Sequence, residues 1–211
     1  MSYDKTLDIF KDKLGSAVYS PDIRPVLNQS DVIQVSVLFG IVSIVELNDV
    51  TQSFVCNGFF SFVWRDERVS WNPSDYGGQD LIHPLPVHTW RPRVILINTL
   101  DKRDVFDDDK APMYVSSFGT TNWIPGSLIS VSCQLDMTYY PFDDQTCYIK
   151  FQPMSLSTKE MVFKVASSDI STDYFTEHGE WDLKEKSIEV YNQTISRFSF
   201  SCLQMVLLKH A

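Results

Sequence analysis

The chain has 211 residues, of which 44% are hydrophobic, 13% aromatic and 21% charged, so it can bury one sizeable core. This composition, with no low-complexity tract, argues against a disordered, collagen-like or coiled-coil protein. The formal net charge of -9 produces an acidic surface that repels phosphate backbones, which argues against nucleic acid as a partner.

A short amphipathic helix is predicted at the start of the chain, over about residues 2–14. Leu7, Phe10 and Leu14 recur at helical spacing, and Gly15 follows as a stop.

After this helix the hydrophobic period becomes that of β-strands. Ile33, Val35 and Val37 alternate with polar residues. Further β-rich runs, separated by turn-forming residues, occupy residues 59–64, 94–97, 161–165 and 198–202. Short strands at regular intervals predict an all-β sandwich over about residues 30–209, within a single domain that covers 1–211.

No membrane-spanning helix is predicted within the chain. The longest nearly uninterrupted apolar run, from Val37 to Val45, is shorter than the roughly 18 to 20 residues that cross a bilayer. The N-terminus lacks a basic start followed by an apolar stretch, so we expect any secretory signal to have been removed.

Two acidic stretches, residues 107–109 and 167–180, are predicted to be solvated loops, because carboxylate clusters usually face water. A calcium site is the alternative, since oxygen ligands are dense there, but the spacing matches no calcium-binding loop. We therefore predict no metal site.

Four cysteines are present, and two of them bracket a short segment. Cys133 and Cys147 lie fourteen positions apart, and a bond between them would stabilise the fold by ~3 kcal/mol in the chain-entropy model. Such a bond requires an oxidising compartment. Cys56 and Cys202 lie in apolar strand patterns, where a small buried side chain is favoured over a second bridge.

The segment between Cys133 and Cys147 contains Tyr140-Pro141-Phe142-Asp143, and this combination resembles the signature of the Cys-loop receptors, the pentameric ligand-gated ion channels. Other segments resemble nicotinic-type members in the same order along the chain. They are Trp64-Arg65-Asp66 with residues 71–78, Trp90-Arg91-Pro92 with Asn98, and residues 179–183. One departure is Arg93, which stands where these members carry an aspartate.

This resemblance implies an N-terminal helix followed by an immunoglobulin-like, curled β-sandwich of about ten strands, assembled as a ring of five identical or homologous subunits. It also implies a small-molecule site between neighbouring subunits, where aromatic side chains surround a cationic amine. The attraction in such a cage is cation–π, worth ~2 kcal/mol or more when the contact is desolvated.

Carried over position by position, the resemblance assigns residues to both faces of that site. Ile97 stands where a tyrosine is expected and Met154 where the central tryptophan is expected, so the usual cage is incomplete. We expect an apolar, adaptable pocket that suits an amphipathic organic ligand better than an acetylcholine-like amine. The principal face is assigned Ile97, Met154 and Tyr191, with Tyr191 in a mobile loop, and the complementary face is assigned Phe59, Tyr114 and Trp123.

The tip formed by Tyr140, Pro141 and Phe142 is apolar, which predicts a loop that couples the domain to a missing transmembrane partner. Asn28 and Asn192 lie in acceptor sequences for N-glycosylation. Together these features predict a receptor fragment on the extracellular side of the plasma membrane.

The predicted function is therefore the extracellular ligand-binding domain of a pentameric ligand-gated ion channel. A secreted pentamer resembling the acetylcholine-binding proteins is one alternative, and a monomeric extracellular adhesion or interaction sandwich is another. No histidine has a spacing that suits catalysis, so we predict neither an enzyme nor a cofactor.

Overall fold

The computed structural model describes residues 3–101, 106, 109–139, 143–195 and 198–210. Within these residues it contains one α-helix, α1 (Tyr3–Leu14), and eleven strands. The strands are β1 (Ile33–Asn48), β2 (Ser53–Arg65), β3 (Leu81–Ile82), β4 (Val94–Leu96), β5 (Met113–Ser116), β6 (Thr120–Trp123), β7 (Gly126–Ser132), β8 (Asp144–Pro153), β9 (Met161–Val165), β10 (Asp182–Ile195) and β11 (Phe198–His210).

The strands form two sheets. The first has the order β3-β5-β6-β2-β1-β9, with β7 also paired to β2, and the second has the order β10-β11-β8-β4. Strands β1 and β9 run parallel, whereas β1 and β2 form a long antiparallel pair. The prediction of an all-β sandwich with an N-terminal helix is confirmed.

The core between the sheets is built largely from aromatic rings. Side chains alternate along β2, so Phe60 and Phe62 point inward. The Phe60 ring centre lies 4.7 Å from that of Phe39, 5.5 Å from that of Phe62 and 5.0 Å from that of Phe151. Because Phe151 belongs to β8, these contacts join the two sheets.

A disulfide links Cys133, just after β7, to Cys147 in β8. This bond joins the two sheets covalently and confirms the cysteine pair that bracketed the short segment. Cys56 and Cys202 are both buried thiols, as their apolar strand patterns predicted.

A buried carboxylate ties the segment after α1 to the sandwich. The Tyr19 hydroxyl donates to Asp66 at 2.5 Å and accepts from the Trp90 backbone N–H at 2.9 Å. The Arg68 guanidinium lies 4.1 Å from the centre of the Tyr19 ring. Burial raises the pKa of Asp66, although the Tyr19 hydrogen bond and the Arg68 charge oppose this shift. Burial and the neighbouring Asp66 likewise raise the pKa of Tyr19.

Replacing Tyr19 by phenylalanine should destabilise the fold. Tyr19→Phe removes both hydrogen bonds and leaves the Asp66 carboxylate and the Trp90 N–H buried with one partner fewer, so we expect a loss of about 1–3 kcal/mol. Urea unfolding measures this loss. The control is Tyr3→Phe at an exposed tyrosine, where a change within about 0.5 kcal/mol is expected. Equal effects of the two substitutions would contradict a structural role for the Tyr19 hydroxyl.

Asp66 should also make stability depend on pH. Its folded-state pKa lies above the ordinary value of 3.8, so the folded protein binds this proton more tightly than the unfolded chain does. The contribution of Asp66 to stability is therefore fully present below about pH 4 and declines as the pH rises through the raised pKa. Unfolding free energies of the wild type and Asp66→Asn, compared across this window, isolate the effect. A difference that grows in favour of the wild type with rising pH would refute it.

Candidate functional site

Phe59 lies on the outer face of the seven-stranded sheet, because its neighbours Gly58 and Phe60 occupy inward positions of β2. It pairs across the strands with Gly40 of β1. A Cβ atom at Gly40 would lie only 2.3 Å from Phe59 Cζ, so the ring lies directly over the glycine. The absence of a side chain at position 40 therefore determines where the Phe59 ring rests.

Tyr174 stands beside Phe59, with 5.9 Å between ring centres in an edge-to-face arrangement. Its segment, residues 167–180, is irregular as predicted, but its backbone is docked on β1. The Ile41 N–H donates to the Ser171 carbonyl at 3.0 Å, and the Thr176 N–H donates to the Val42 carbonyl at 2.8 Å. Sequence analysis did not assign Tyr174 to the site. The available signal was a tyrosine within an acidic stretch.

Tyr114 shares this outer face through a chain of hydrogen bonds across three strands. The Ser61 hydroxyl of β2 donates to Asn122 Oδ1 of β6 at 2.9 Å, and the Asn122 amide donates to the Tyr114 hydroxyl of β5. Ser61 follows Phe59 by two positions, so both side chains leave β2 on the same side. The structure thus places Phe59 and Tyr114 on one surface.

Trp123 does not belong to that surface. It is 1% exposed, and its ring stacks at 5.5 Å on that of Phe62 in the core. Asn122 precedes it on β6 and already occupies the outer side, so Trp123 must point inward. This corrects the assignment of Trp123 to the complementary face with Phe59 and Tyr114.

Ile97 and Met154 lie at opposite ends of the short ladder between β4 and β8. The Ile97 N–H donates to the Lys150 carbonyl at 2.8 Å, and the Met154 N–H donates to the Arg93 carbonyl at 2.7 Å. Ile97 is 37% exposed and Met154 is 50% exposed. The two positions are roughly 13 Å apart along the ladder, at about 3.3 Å per residue.

Tyr191 lies on a strand, β10, whereas the sequence-based prediction placed it in a loop. Strand β10 pairs with β11 along its length, and Tyr191 stands opposite Cys202. The Tyr191 side chain is half-buried. Burial, followed by the neighbouring Cys202 thiol, raises its pKa, so it remains a neutral hydrogen-bonding group at physiological pH.

A cavity of about 520 Å³ opens beside Met154 and reaches inward to Trp123. Arg91 lines it, with its guanidinium 5.3 Å from the centre of the Trp123 ring and 2.7 Å from Asp109 Oδ1. Sequence analysis did not assign Arg91 to a site, although it lies within the Trp90-Arg91-Pro92 motif. Apolar walls come from Pro86, Val87, Val94, Ile95 and Phe106.

The remaining predicted positions have simpler outcomes. Tyr140, Pro141 and Phe142 lie outside the described residues. Asn28 and Asn192 are both exposed, and their glycosylation stays a prediction. In the described part of the chain, no group of three or more His, Cys, Asp or Glu residues is arranged to hold a metal ion. The described helices include none with the length and apolar character needed to cross a bilayer.

Gly40→Ala should displace the Phe59 ring at little cost in stability. The new methyl group would clash only with the far end of a side chain, which can rotate, so we expect a loss of about 0.5–1.5 kcal/mol. Nuclear Overhauser contacts between the Phe59 and Tyr174 rings should weaken or disappear. Gly179→Ala is the matched control, because no atom lies within 4 Å of the added methyl group. Retention of the ring contact in Gly40→Ala would show that the glycine does not position Phe59.

Comparisons with known proteins identify a matching family and several relatives of the chain. Residues 8–208 match the family described as the neurotransmitter-gated ion-channel ligand binding domain. The chain is 31% identical over 180 residues to the acetylcholine receptor subunit gamma of Bos taurus, covering 80% of the chain and 34% of the relative. It is 32% identical over 163 residues to the neuronal acetylcholine receptor subunit alpha-3 of Homo sapiens, covering 77% and 32%. The chain therefore spans about one third of the length of these relatives.

Proposed function

The chain belongs to the family of neurotransmitter-gated ion-channel ligand-binding domains, and from this premise we propose that it binds a small organic ligand between subunits of a pentameric channel. Its relatives are named as receptor subunits, and the chain is a receptor domain rather than an enzyme. The proposed channel is a ring of five identical or homologous subunits, each contributing one copy of this domain.

The observation that carries this proposal is the separation of the candidate residues into two sets on different sheets. Phe59 and Tyr114 lie on the outer face of the seven-stranded sheet. Ile97, Met154 and Tyr191 lie on, or directly after, strands of the four-stranded sheet. A ligand that touches both sets would bridge two copies of the chain, with Tyr174 joining Phe59 on the complementary side.

The side chains of the proposed pocket favour an amphipathic organic ligand over acetylcholine. Met154 and Ile97 have no aromatic face, so neither offers a quadrupole to an ammonium group. Met154 also lies beside the backbone of Arg93, a cationic residue. What remains is a thioether and an aliphatic side chain facing Phe59 and Tyr114 of a neighbouring subunit, which is an adaptable apolar lining.

Binding would act through the hairpin of β10 and β11. Strand β11 pairs with β8 only from Leu203 onward, so the end of the hairpin projects past that sheet contact. The end is held by hydrogen bonds such as that from the Thr158 N–H to the Ser199 carbonyl, at 2.7 Å. A ligand that contacts Tyr191 would favour a closed hairpin, and the altered subunit interface would shift the channel toward its open state.

The proposed location is the extracellular side of the plasma membrane. The Cys133–Cys147 disulfide requires an oxidising compartment, and the exposed Asn28 and Asn192 are accessible to glycosylation.

Restoring the aromatic residues should create acetylcholine binding. The double variant Met154→Trp with Ile97→Tyr adds two aromatic faces, and we expect an affinity gain of about tenfold or more, given ~2 kcal/mol for a desolvated cation–π contact. Calorimetric titration of the assembled protein with acetylcholine measures it. Phe59→Ala in the same background should cancel the gain. Tyr148→Ala, at an exposed aromatic of the four-stranded sheet, should not.

Light scattering on the same samples tests the assembly. A mass five times that of the chain supports the ring, whereas a stable monomer at micromolar concentration would favour the adhesion or interaction sandwich. A double variant that forms the ring without gaining affinity would show that Ile97 and Met154 do not face the ligand.

A further inference from the structure

The segment between β9 and β10 joins the two sheets at one side of the sandwich. Strand β9 is the last strand of the seven-stranded sheet, and β10 is the last strand of the four-stranded sheet. Residues 168–176 lie between them in the chain and form hydrogen bonds to both β10 and β1. We call these residues the strap.

The first anchor of the strap is on β10. The Ile188 N–H donates to the Ser168 carbonyl at 3.0 Å, and Asp169 forms an ion pair with Lys186 of the same strand at 3.2 Å. Ile188 is buried, so its N–H needs this acceptor. Tyr191 follows Ile188 by three positions on β10. The strap is therefore fixed to the strand that carries Tyr191.

The second anchor is on β1. The Ser171 N–H donates to the Phe39 carbonyl at 2.9 Å, and the Ser171 carbonyl accepts from the Ile41 N–H at 3.0 Å. These two bonds flank Gly40, which pairs with Ser171 and lies under the Phe59 ring. The strap is thus attached to β1 at the residue over which Phe59 rests.

Tyr174 gives the strap a direct contact with Phe59. It lies between the anchor at Ser171 and a third bond, from the Thr176 N–H to the Val42 carbonyl at 2.8 Å. With the backbone held on both sides, the Tyr174 ring stands 5.9 Å from that of Phe59. A displacement of either ring is therefore passed to the other.

The strap has little slack between its first two anchors. Ser168 and Ser171 are three positions apart, so the chain between them spans at most about 11 Å. Ile170, within this stretch, is 1% exposed and packs in the core, where close packing leaves little room for movement. A shift of β10 relative to β1 is consequently transmitted from Ser168 to Ser171.

We propose that the strap couples the two half-sites of one subunit. The inference rests on the proposed function, in which Tyr191 serves one subunit interface and Phe59 with Tyr174 serves the other. Movement of the hairpin toward a ligand pulls on Ser168, and the pull reaches Phe59 through Ser171 and Tyr174. Occupation of one ligand site thereby changes the affinity of the neighbouring site across the same subunit.

The test perturbs the strap at Phe59 and measures the response at β10. Gly40→Ala displaces the Phe59 ring. Amide hydrogen exchange, followed by NMR in the purified chain, gives the rate at Ile188 relative to that at Ile97, whose N–H donates to Lys150 outside the strap. We expect Gly40→Ala to raise this ratio about fivefold or more, because strain on the strap weakens the bond between Ser168 and Ile188. Gly179→Ala should leave it within about twofold.

A lengthened strap separates this coupling from a general loss of stability. Two glycines inserted between Ser168 and Asp169 add slack, and Gly40→Ala in that background should change the ratio by less than about twofold. The matched control inserts two glycines between Gly179 and Glu180, where the full response should remain. No response in the natural chain, a full response in the lengthened strap, or a lost response in the control insertion would overturn the proposal.

Tyr174→Ala tests the same route without changing the length of the strap, in case the lengthened chain folds poorly. It removes the ring that meets Phe59, so the response to Gly40→Ala should fall by about half or more. A full response in Tyr174→Ala would also overturn the proposal. Every measurement uses the chain without ligand, so failure of the proposed ligand site or ring would leave the result readable.

Discussion

The contact between Phe60 and Phe151 across the two sheets is the constraint on which the rest of the structure depends. Together with the rings of Phe39 and Phe62, this contact fixes which face of β2 points into the core. Because successive side chains of a strand face opposite sides, an inward Phe60 requires an outward Phe59. The aromatic core and the candidate ligand surface are thus two faces of one strand, and a one-residue slip of β2 would exchange them.

The outward face is shaped by backbone as much as by side chains. Gly40 allows the Phe59 ring to lie close to β1, and the hydrogen bonds between β1 and the segment around Ser171 bring Tyr174 alongside. Both place aromatic groups at an exposed edge, where a neighbouring subunit and a ligand can reach them in the proposed assembly.

Charge distinguishes the two candidate sites. The proposed intersubunit pocket has lost two aromatic faces through Ile97 and Met154, which lowers its attraction for ammonium groups. In the cavity beside Met154 the aromatic face of Trp123 remains, but the Arg91 guanidinium lies 5.3 Å from its centre.

Sequence alone determined the helix and the sandwich, because residue periodicity is a local property of the chain. The spacing and motif around Cys133 and Cys147 likewise indicated the disulfide pair. Sequence analysis failed at Trp123, since β6 is four residues long and ends in three consecutive buried residues, so no alternation could be read there. It could not predict Tyr191 on a strand, because that assignment comes from the pairing of β10 with β11. Only the tertiary structure decided that Tyr174 meets Phe59 and that Arg91 lies over Trp123, because these contacts join residues far apart in the chain and depend on how the segments pack.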